Sequence, residues 1–210
     1  MNAVPVPPGI VLLAAGASRR MGYPKQLLAV GHESLLRRAC RIALETPCRP
    51  VVVVLGAGAE KCRAEIDDLP LSVVVHEGWA EGLASSLRAG LDALEREAPG
   101  IGRMLVMLAD QPGITPRALA RLVGASEDLA ASSYGEVTGV PAVFPRDLFG
   151  EIRSLPGDSG ARPLLRAHAR RTVVVPMPEA EVDIDTPGDY LHLLREELQF
   201  HPETALVVPE

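Results

Sequence analysis

Apolar runs of strand length, rich in Val, Leu and Ile, alternate along this chain with segments in which apolar residues recur three and four positions apart. The runs are Ile10 to Ala15, Val51 to Leu55, Leu71 to Val75, Met104 to Ala109 and Thr172 to Val175. They are apolar at successive positions rather than at alternate ones, so each predicts a strand covered on both faces. Between them, Glu33 to Thr46, Ala59 to Leu69, Gly82 to Glu97 and Pro116 to Val123 set Leu and Ala against Arg and Glu at helical spacing. Parallel strands need long crossovers, and crossover helices cover both faces of a sheet. The predicted fold is therefore α/β, with three layers and a mostly parallel sheet.

After Asp110 the rhythm changes. Leu129 to Tyr134 and Val140 to Phe144 flank the stretch GEVTG, which predicts a hairpin inserted in the sheet. A helix over Ala161 to His168 and a last helix from Pro187 to Leu198 complete the pattern, with residues 1–200 as one domain and 201–210 as a C-terminal tail. A chain of 210 residues, 47% of them hydrophobic, suits a single core.

Charge and cysteine usage exclude several classes of function. A net charge of −6 argues against a nucleic-acid partner, so any anion must be bound by a local cluster of cations. Cys40, Cys48 and Cys62 form an odd set without a C-x-x-C pair, which points away from a disulfide framework or a zinc site and toward a reducing cytoplasm. No apolar run approaches the roughly 18 residues of a membrane helix. The first residues, MNAVPVPPGI, also lack the basic-then-apolar pattern of an export signal.

The stretch VLLAAGASRRMGYPKQLL, residues 11–28, carries the first chemical signal. In an open α/β sheet, ligands bind beyond the carboxyl ends of the strands, and the loop after the first strand is the usual phosphate cradle. Ala15, Gly16 and Ala17 are small enough for the backbone to approach an anion and present N–H groups to it. Arg20 adds a bidentate fork and Lys25 a point charge, with Pro24 stiffening the loop ahead of it. Asp110 follows a second apolar strand and would face the same crevice, where a hard cation such as Mg²⁺ could meet it. Asp183 and Asp185, two apart in an extended segment, should point to one face while Ile184 points to the other.

Other motifs compete with this reading. Val51 to Leu55 followed by Gly56-Ala57-Gly58 imitates a dinucleotide-binding turn, although Lys61 stands where a third glycine would allow close helix packing. Gly157-Asp158-Ser159-Gly160 is similar to the nucleophile loop of trypsin-like proteases, but the chain is not all-β. Ser159 or Gly160 instead begins a helix whose N-terminus, with Arg162, is a candidate for an anionic part of a ligand; a plain Asp or Ser cap serves equally well. Trp79 is read as packing beside the site loop.

The pattern A-A-G-x-S-R-R-M-G-x-P-K-x-L-L resembles the signature loop of the molybdenum-cofactor nucleotidyltransferases. Further segments agree in order: WAEGLASSL from Trp79, LADQP from Leu108, GDSGAR from Gly157 and DIDTP from Asp183. The resemblance spans nearly the whole chain and implies a Rossmann-like, GT-A-type fold. It also implies transfer of CMP from CTP to the phosphate of a molybdopterin-type cofactor, with release of pyrophosphate.

By that resemblance, Arg20, Lys25 and Asp110 carry the reaction, and Mg²⁺ or Mn²⁺ sits on Asp110, Asp183 and Asp185. Leu13, Ala14, Ala15, Gly16, Ser18, Arg19, His76, Gly82, Ser85, Asp158 and Arg162 bind nucleotide or acceptor. The attacking phosphate is already anionic, so no general base is assigned. A molybdoenzyme or its chaperone is implied as the recipient of the product.

Leu-Ala-Ala-Gly goes with cytidine in that family and Leu-Ala-Gly-Gly with guanine, which makes the Ala15 methyl group the candidate base selector. His76-Glu77-Gly78 and Gly139-Val140-Pro141 depart from the family pattern, where an asparagine and a polar residue are common. Another phosphorylated acceptor, a GTP-using enzyme, a nicotinamide-dependent oxidoreductase and a non-catalytic nucleotide-binding protein remain as alternatives.

Overall fold

The computed structural model describes residues 7–200; the predicted tail, 201–210, lies outside the described residues. In chain order the elements are β1 (Gly9–Ala14), β2 (Ala29–Val30), β3 (Glu33–Ser34), α1 (Leu35–Leu44), β4 (Val51–Leu55), α2 (Ala59–Ala64), β5 (Ser72–Val75) and α3 (Leu83–Glu97). They continue with β6 (Arg103–Leu108), α4 (Pro116–Ala125), β7 (Ala130–Tyr134), β8 (Val137–Pro145), α5 (Phe149–Arg153), α6 (Arg162–Ala167), β9 (Val173–Pro176) and α7 (Pro187–Phe200).

Among the described residues, seven strands form one sheet in the order β5-β4-β1-β6-β8-β7-β9. β1 lies parallel between β4 and β6, and β5 and β9 also join in parallel. β8 runs antiparallel to both of its neighbours. β1 and β4 are buried along their whole length, as their unbroken apolar runs predict, but β5 and β9, equally apolar, lie at the two edges of the sheet and are only partly covered, with Val75, Val173 and Val174 exposed. Ile10, Leu12, Val51 and Val53 face a core closed by α1 and α4, while Val11, Leu13, Val52 and Val54 face a second core closed by α3, α5 and α6. This is the three-layer α/β arrangement that the periodicity predicts.

The helix starts follow from local chemistry. The Ser34 hydroxyl accepts from the Arg37 amide at 3.2 Å, so α1 begins at Leu35, two residues later than its apolar period suggests. Glu33 and Ser34 belong instead to a two-stranded ribbon with Ala29 and Val30, too short to leave a period. Thr115 caps α4 in the same way ahead of Pro116. α2 stops at Ala64, short of the predicted Leu69, and turns closed at Ile66 and Leu69 lead to Pro70.

The hairpin connection is also shorter than GEVTG. Val137 already pairs with Tyr134, leaving Gly135 and Glu136 as the turn, and the register slips opposite Ala131 and Ser132. That slip lets Val140 leave the ladder and reach the ligand crevice.

No helix of the described residues is long and apolar enough to cross a membrane. Cys40, Cys48 and Cys62 are free and buried, and burial raises each thiol's pKa, that of Cys40 to about 12. Such thiols are poor nucleophiles at neutral pH.

Candidate active site

Because β1 and β6 are parallel neighbours, the loops after them leave the sheet side by side. Leu13 stands opposite Leu108, and the Ala109 amide donates to the Leu13 carbonyl at 3.1 Å. The glycine loop and Asp110 therefore share one rim, beyond the carboxyl ends of the strands. A third segment reaches that rim from the far end of the chain. The Ile184 amide donates to the Asp110 carbonyl at 3.0 Å, and the Ile184 side chain is buried with Val30 and Leu35. Asp183 and Asp185 are thereby turned to the crevice, as the two-residue spacing predicts. Asp189 Oδ2 accepts from the amides of Asp185 and Thr186, which holds this segment at the start of α7.

Cations and carboxylates are in direct contact here, rather than facing each other across open space. Lys25 Nζ donates to Asp110 Oδ2 at 2.5 Å and to Asp185 Oδ1 at 2.8 Å, and Arg20 donates to Asp185 Oδ2 at 2.7 Å. The Lys25 and Asp110 side chains are 15% and 18% exposed, so their attraction is only weakly screened; Arg20, 71% exposed, is held more loosely. Burial alone would lower the Lys25 pKa, but Asp110 and Asp185 outweigh it and the net shift is upward. Burial would raise the Asp185 pKa, but its bonds and attraction to Lys25 and Arg20 bring it below the usual carboxylate value. Asp183 has the opposite balance: burial, then the charges of Asp110 and Asp185, push it up to about 6.

Two cavities meet at this cluster. The first, about 430 Å³, is lined by Leu13, Ala14, Ala15, Gly16, Ser18 and Arg19 on one side and Trp79, Gly82 and Ser86 on the other. The second, about 410 Å³, is lined by Val140, Gly160, Arg162, Asp183 and Asp185. Asp110 and Asp158 line both.

Gly82 has φ 112°, and a side chain there would run into Asp158 and come within 2.7 Å of the Gly157 carbonyl. A glycine is therefore what lets the loop carrying Asp158 close over the start of α3. Arg162 is steadied by the Tyr134 hydroxyl at 3.4 Å, and α6 begins at Arg162 rather than at Ser159 or Gly160.

His76 and Ser85 are placed against each other behind the cavity wall. His76 Nε2 lies 2.9 Å from Ser85 Oγ, which also bonds the carbonyls of Gly78 and Gly82, so the pair fastens the turn beneath the cavity without lining it. Ser86 and Trp79 line it instead, a distinction that depends on where α3 starts.

The glycine pair at 56 and 58 is used for packing and turning. A side chain at Gly56 would collide with Ala15 and with the Trp79 Cβ, and Gly58 adopts a left-handed conformation ahead of α2. Polar residues that the motif reading passed over also matter. Buried Gln111 donates to the Ala180 carbonyl at 2.9 Å, and buried Gln26 braces the glycine loop.

Among the described residues, no three His, Cys, Asp or Glu side chains converge as a closed metal-binding group. Yet Asp110 Oδ1 and Asp183 Oδ1 are buried without a hydrogen-bond partner, a costly state for a carboxylate. Hard oxygen donors left unpaired at the border of two cavities fit a divalent cation such as Mg²⁺ or Mn²⁺. Asp185 fits it less well than its position in the sequence suggests, because both its oxygens are taken by Lys25 and Arg20.

An α/β sheet with a small-residue loop after its first strand, cations on that loop and acidic residues at two neighbouring segments is the arrangement of a protein that handles a phosphorylated ligand, and the family match makes that class a nucleotidyltransferase. The model of the MobA-like NTP transferase domain matches residues 10–172, and the chain belongs to that family. It is 34% identical, over 74% of its length and 80% of the relative's, to the nicotine blue oxidoreductase of Paenarthrobacter nicotinovorans. The molybdenum cofactor cytidylyltransferase of Escherichia coli K12 is more distant, 22% identical over 86% of this chain and 92% of that one. Among solved structures, Rv0371c of Mycobacterium tuberculosis H37Rv in complex with manganese superposes with a TM-score of 0.73 at 31% identity, over 89% of this chain and 97% of that one.

Proposed function

We propose that the chain transfers CMP from CTP to the phosphate of a molybdopterin-type acceptor. A phosphate oxygen of the acceptor bonds to the α-phosphorus of CTP as the bond from that phosphorus to the bridging oxygen breaks, and pyrophosphate leaves with the electron pair. The observation that carries this reading is the pair of cavities meeting at Asp110, one bordered by the glycine loop and the other by Arg162. Each is large enough for a nucleotide or a small cofactor.

Such a reaction needs positioning and charge neutralisation more than covalent help from the protein. Triphosphate entering the first cavity competes with Asp110 and Asp185 for Lys25 and Arg20. These cations then stabilise charge on the departing pyrophosphate. Arg162, steadied by Tyr134, holds the acceptor in the second cavity. A divalent cation held by Asp110 and Asp183 would supply charge neutralisation at the α-phosphate. Ala15, 5% exposed beneath the first cavity, narrows the space for the base and favours a pyrimidine.

Pyrophosphate release, followed with CTP, GTP and ATP in the presence of Mg²⁺ or Mn²⁺ and molybdopterin, tests this reading. CTP should turn over fastest, and a preference for GTP or absence of turnover would overturn it. A nicotinamide-dependent oxidoreductase is the second reading, favoured by the name of the relative from P. nicotinovorans. Oxidation of NADH or NADPH by a dye acceptor, insensitive to Asp110→Asn, would establish it. Against it stands Gly56, whose open side is filled by Ala15 and Trp79.

A further inference from the structure

We propose that Gln26 is a positioning residue for the triphosphate: its side-chain amide holds the loop after β1 in the shape that presents backbone N–H groups to phosphate and connects that loop to Lys25. The proposal rests on the nucleotidyl-transfer reading above.

Gln26 is only 3% exposed, which is unusual for an amide among the strand ends of a parallel sheet. Its hydrogen bonds account for the burial. Nε2 donates to the carbonyls of Ala14 at 2.9 Å and Gly16 at 2.7 Å, and Oε1 accepts from Ser18 Oγ at 3.2 Å. Ser18 Oγ in turn accepts from the Lys25 amide at 3.0 Å. A flipped amide would aim Oε1 at two carbonyl oxygens, so the orientation is fixed by chemistry.

The consequence for the loop follows from peptide geometry. In a planar trans peptide the carbonyl and the following N–H point in opposite directions. Holding the Gly16 carbonyl toward Gln26 therefore turns the Ala17 N–H away from it, and that N–H has no acceptor within the described residues. Ser18 has φ 52°, and among the described residues it alone is a non-glycine with positive φ. A strained residue of this kind persists only where its surroundings over-determine it. Gln26 and the Lys25 amide are those surroundings.

CTP and CMP share base, ribose and α-phosphate, so their affinities separate a loop that grips the outer phosphates from general damage. Calorimetric titration of the wild type, Gln26→Met and Ser18→Ala with each nucleotide, alongside thermal melts and Mn²⁺ titration, reads this out. Gln26→Met should lose about tenfold to hundredfold in CTP affinity and less than twofold in CMP affinity, from the loss of buried hydrogen bonds. Mn²⁺ affinity without nucleotide should stay unchanged. Ser18→Ala should lose a smaller factor, again for CTP alone. Equal losses for CTP and CMP, or no loss for CTP, overturn the proposal; if Gln26→Met does not fold, Ser18→Ala decides by the same ratio. A wild type that binds no triphosphate overturns the nucleotidyl-transfer reading and this proposal with it, whereas a wild type that binds CTP no better than the variants overturns this proposal alone.

Discussion

Lys25 and Asp110, 85 positions apart in the chain, are joined by a 2.5 Å contact between the Lys25 ammonium and Asp110 Oδ2. The ammonium also reaches Asp185, so one cation neutralises carboxylates from two segments beside the glycine loop. On the nucleotidyl-transfer reading proposed above, nucleotide binding is an exchange of anions around Lys25, and without ligand the ammonium is already compensated by the two carboxylates.

Replacing Lys25 with Met leaves Asp110 and Asp185 facing each other without their shared ammonium. We expect a stability loss of about 1–2 kcal/mol, less than for a fully buried pair because solvent reaches the site. Transfer should slow by a factor on the order of 10² to 10³. Urea melts with and without Mg²⁺ check the first effect, since added cation should recover part of the loss; a steady-state assay checks the second.

Asp183 supplies a pH signature in the metal-free protein. Its native pKa of about 6 lies above the ordinary carboxylate value of 3.8, so between these the native state holds a proton that the unfolded chain releases. Stability therefore falls as pH rises through that window, and the full cost is present above it. Asp183→Asn should accordingly be the more stable form above pH 6, by something on the order of 1 kcal/mol after allowance for solvent screening. The difference should vanish below about pH 4. Thermal melts across that range would contradict the assignment if the gap widened toward acid.

Ala15→Gly removes one methyl group from the floor of the first cavity. The ratio of kcat/KM for CTP over GTP should fall by about tenfold. An unchanged ratio, with the variant folded, would move base selection to another residue.

Gly82→Ala forces a methyl group into the Gly157-Asp158 backbone while φ stays at 112°. A cost of about 1–3 kcal/mol is expected from strain of this kind. Because Asp158 borders both cavities, affinity for nucleotide should drop as well. A crystal structure of the variant would show the loop at 157–160 displaced from α3.

Much of the fold is visible in the chain. The unbroken apolar runs at Ile10, Val51 and Met104 specify buried parallel strands because every side chain in them meets a helix. Ile184 between Asp183 and Asp185 specifies which face of that segment turns inward. Less visible are features whose cause is a single contact. The ribbon of β2 and β3 has two residues in each strand, too few to show a period. α2 ends early because turns and Pro70 take over after Ala64.

By itself the sequence determined that a cationic small-residue loop follows a buried strand and that acidic residues follow others, since both depend on periods and turns within a few residues. Only the tertiary structure decided how these meet. It placed Lys25 between Asp110 and Asp185 and both oxygens of Asp185 on cations. It left Asp110 Oδ1 and Asp183 Oδ1 unpaired, and it set His76 and Ser85 beneath the cavity rather than in it. Those outcomes depend on strand order and on sub-ångström differences in where side chains end, which a pattern of residue types along one chain does not encode.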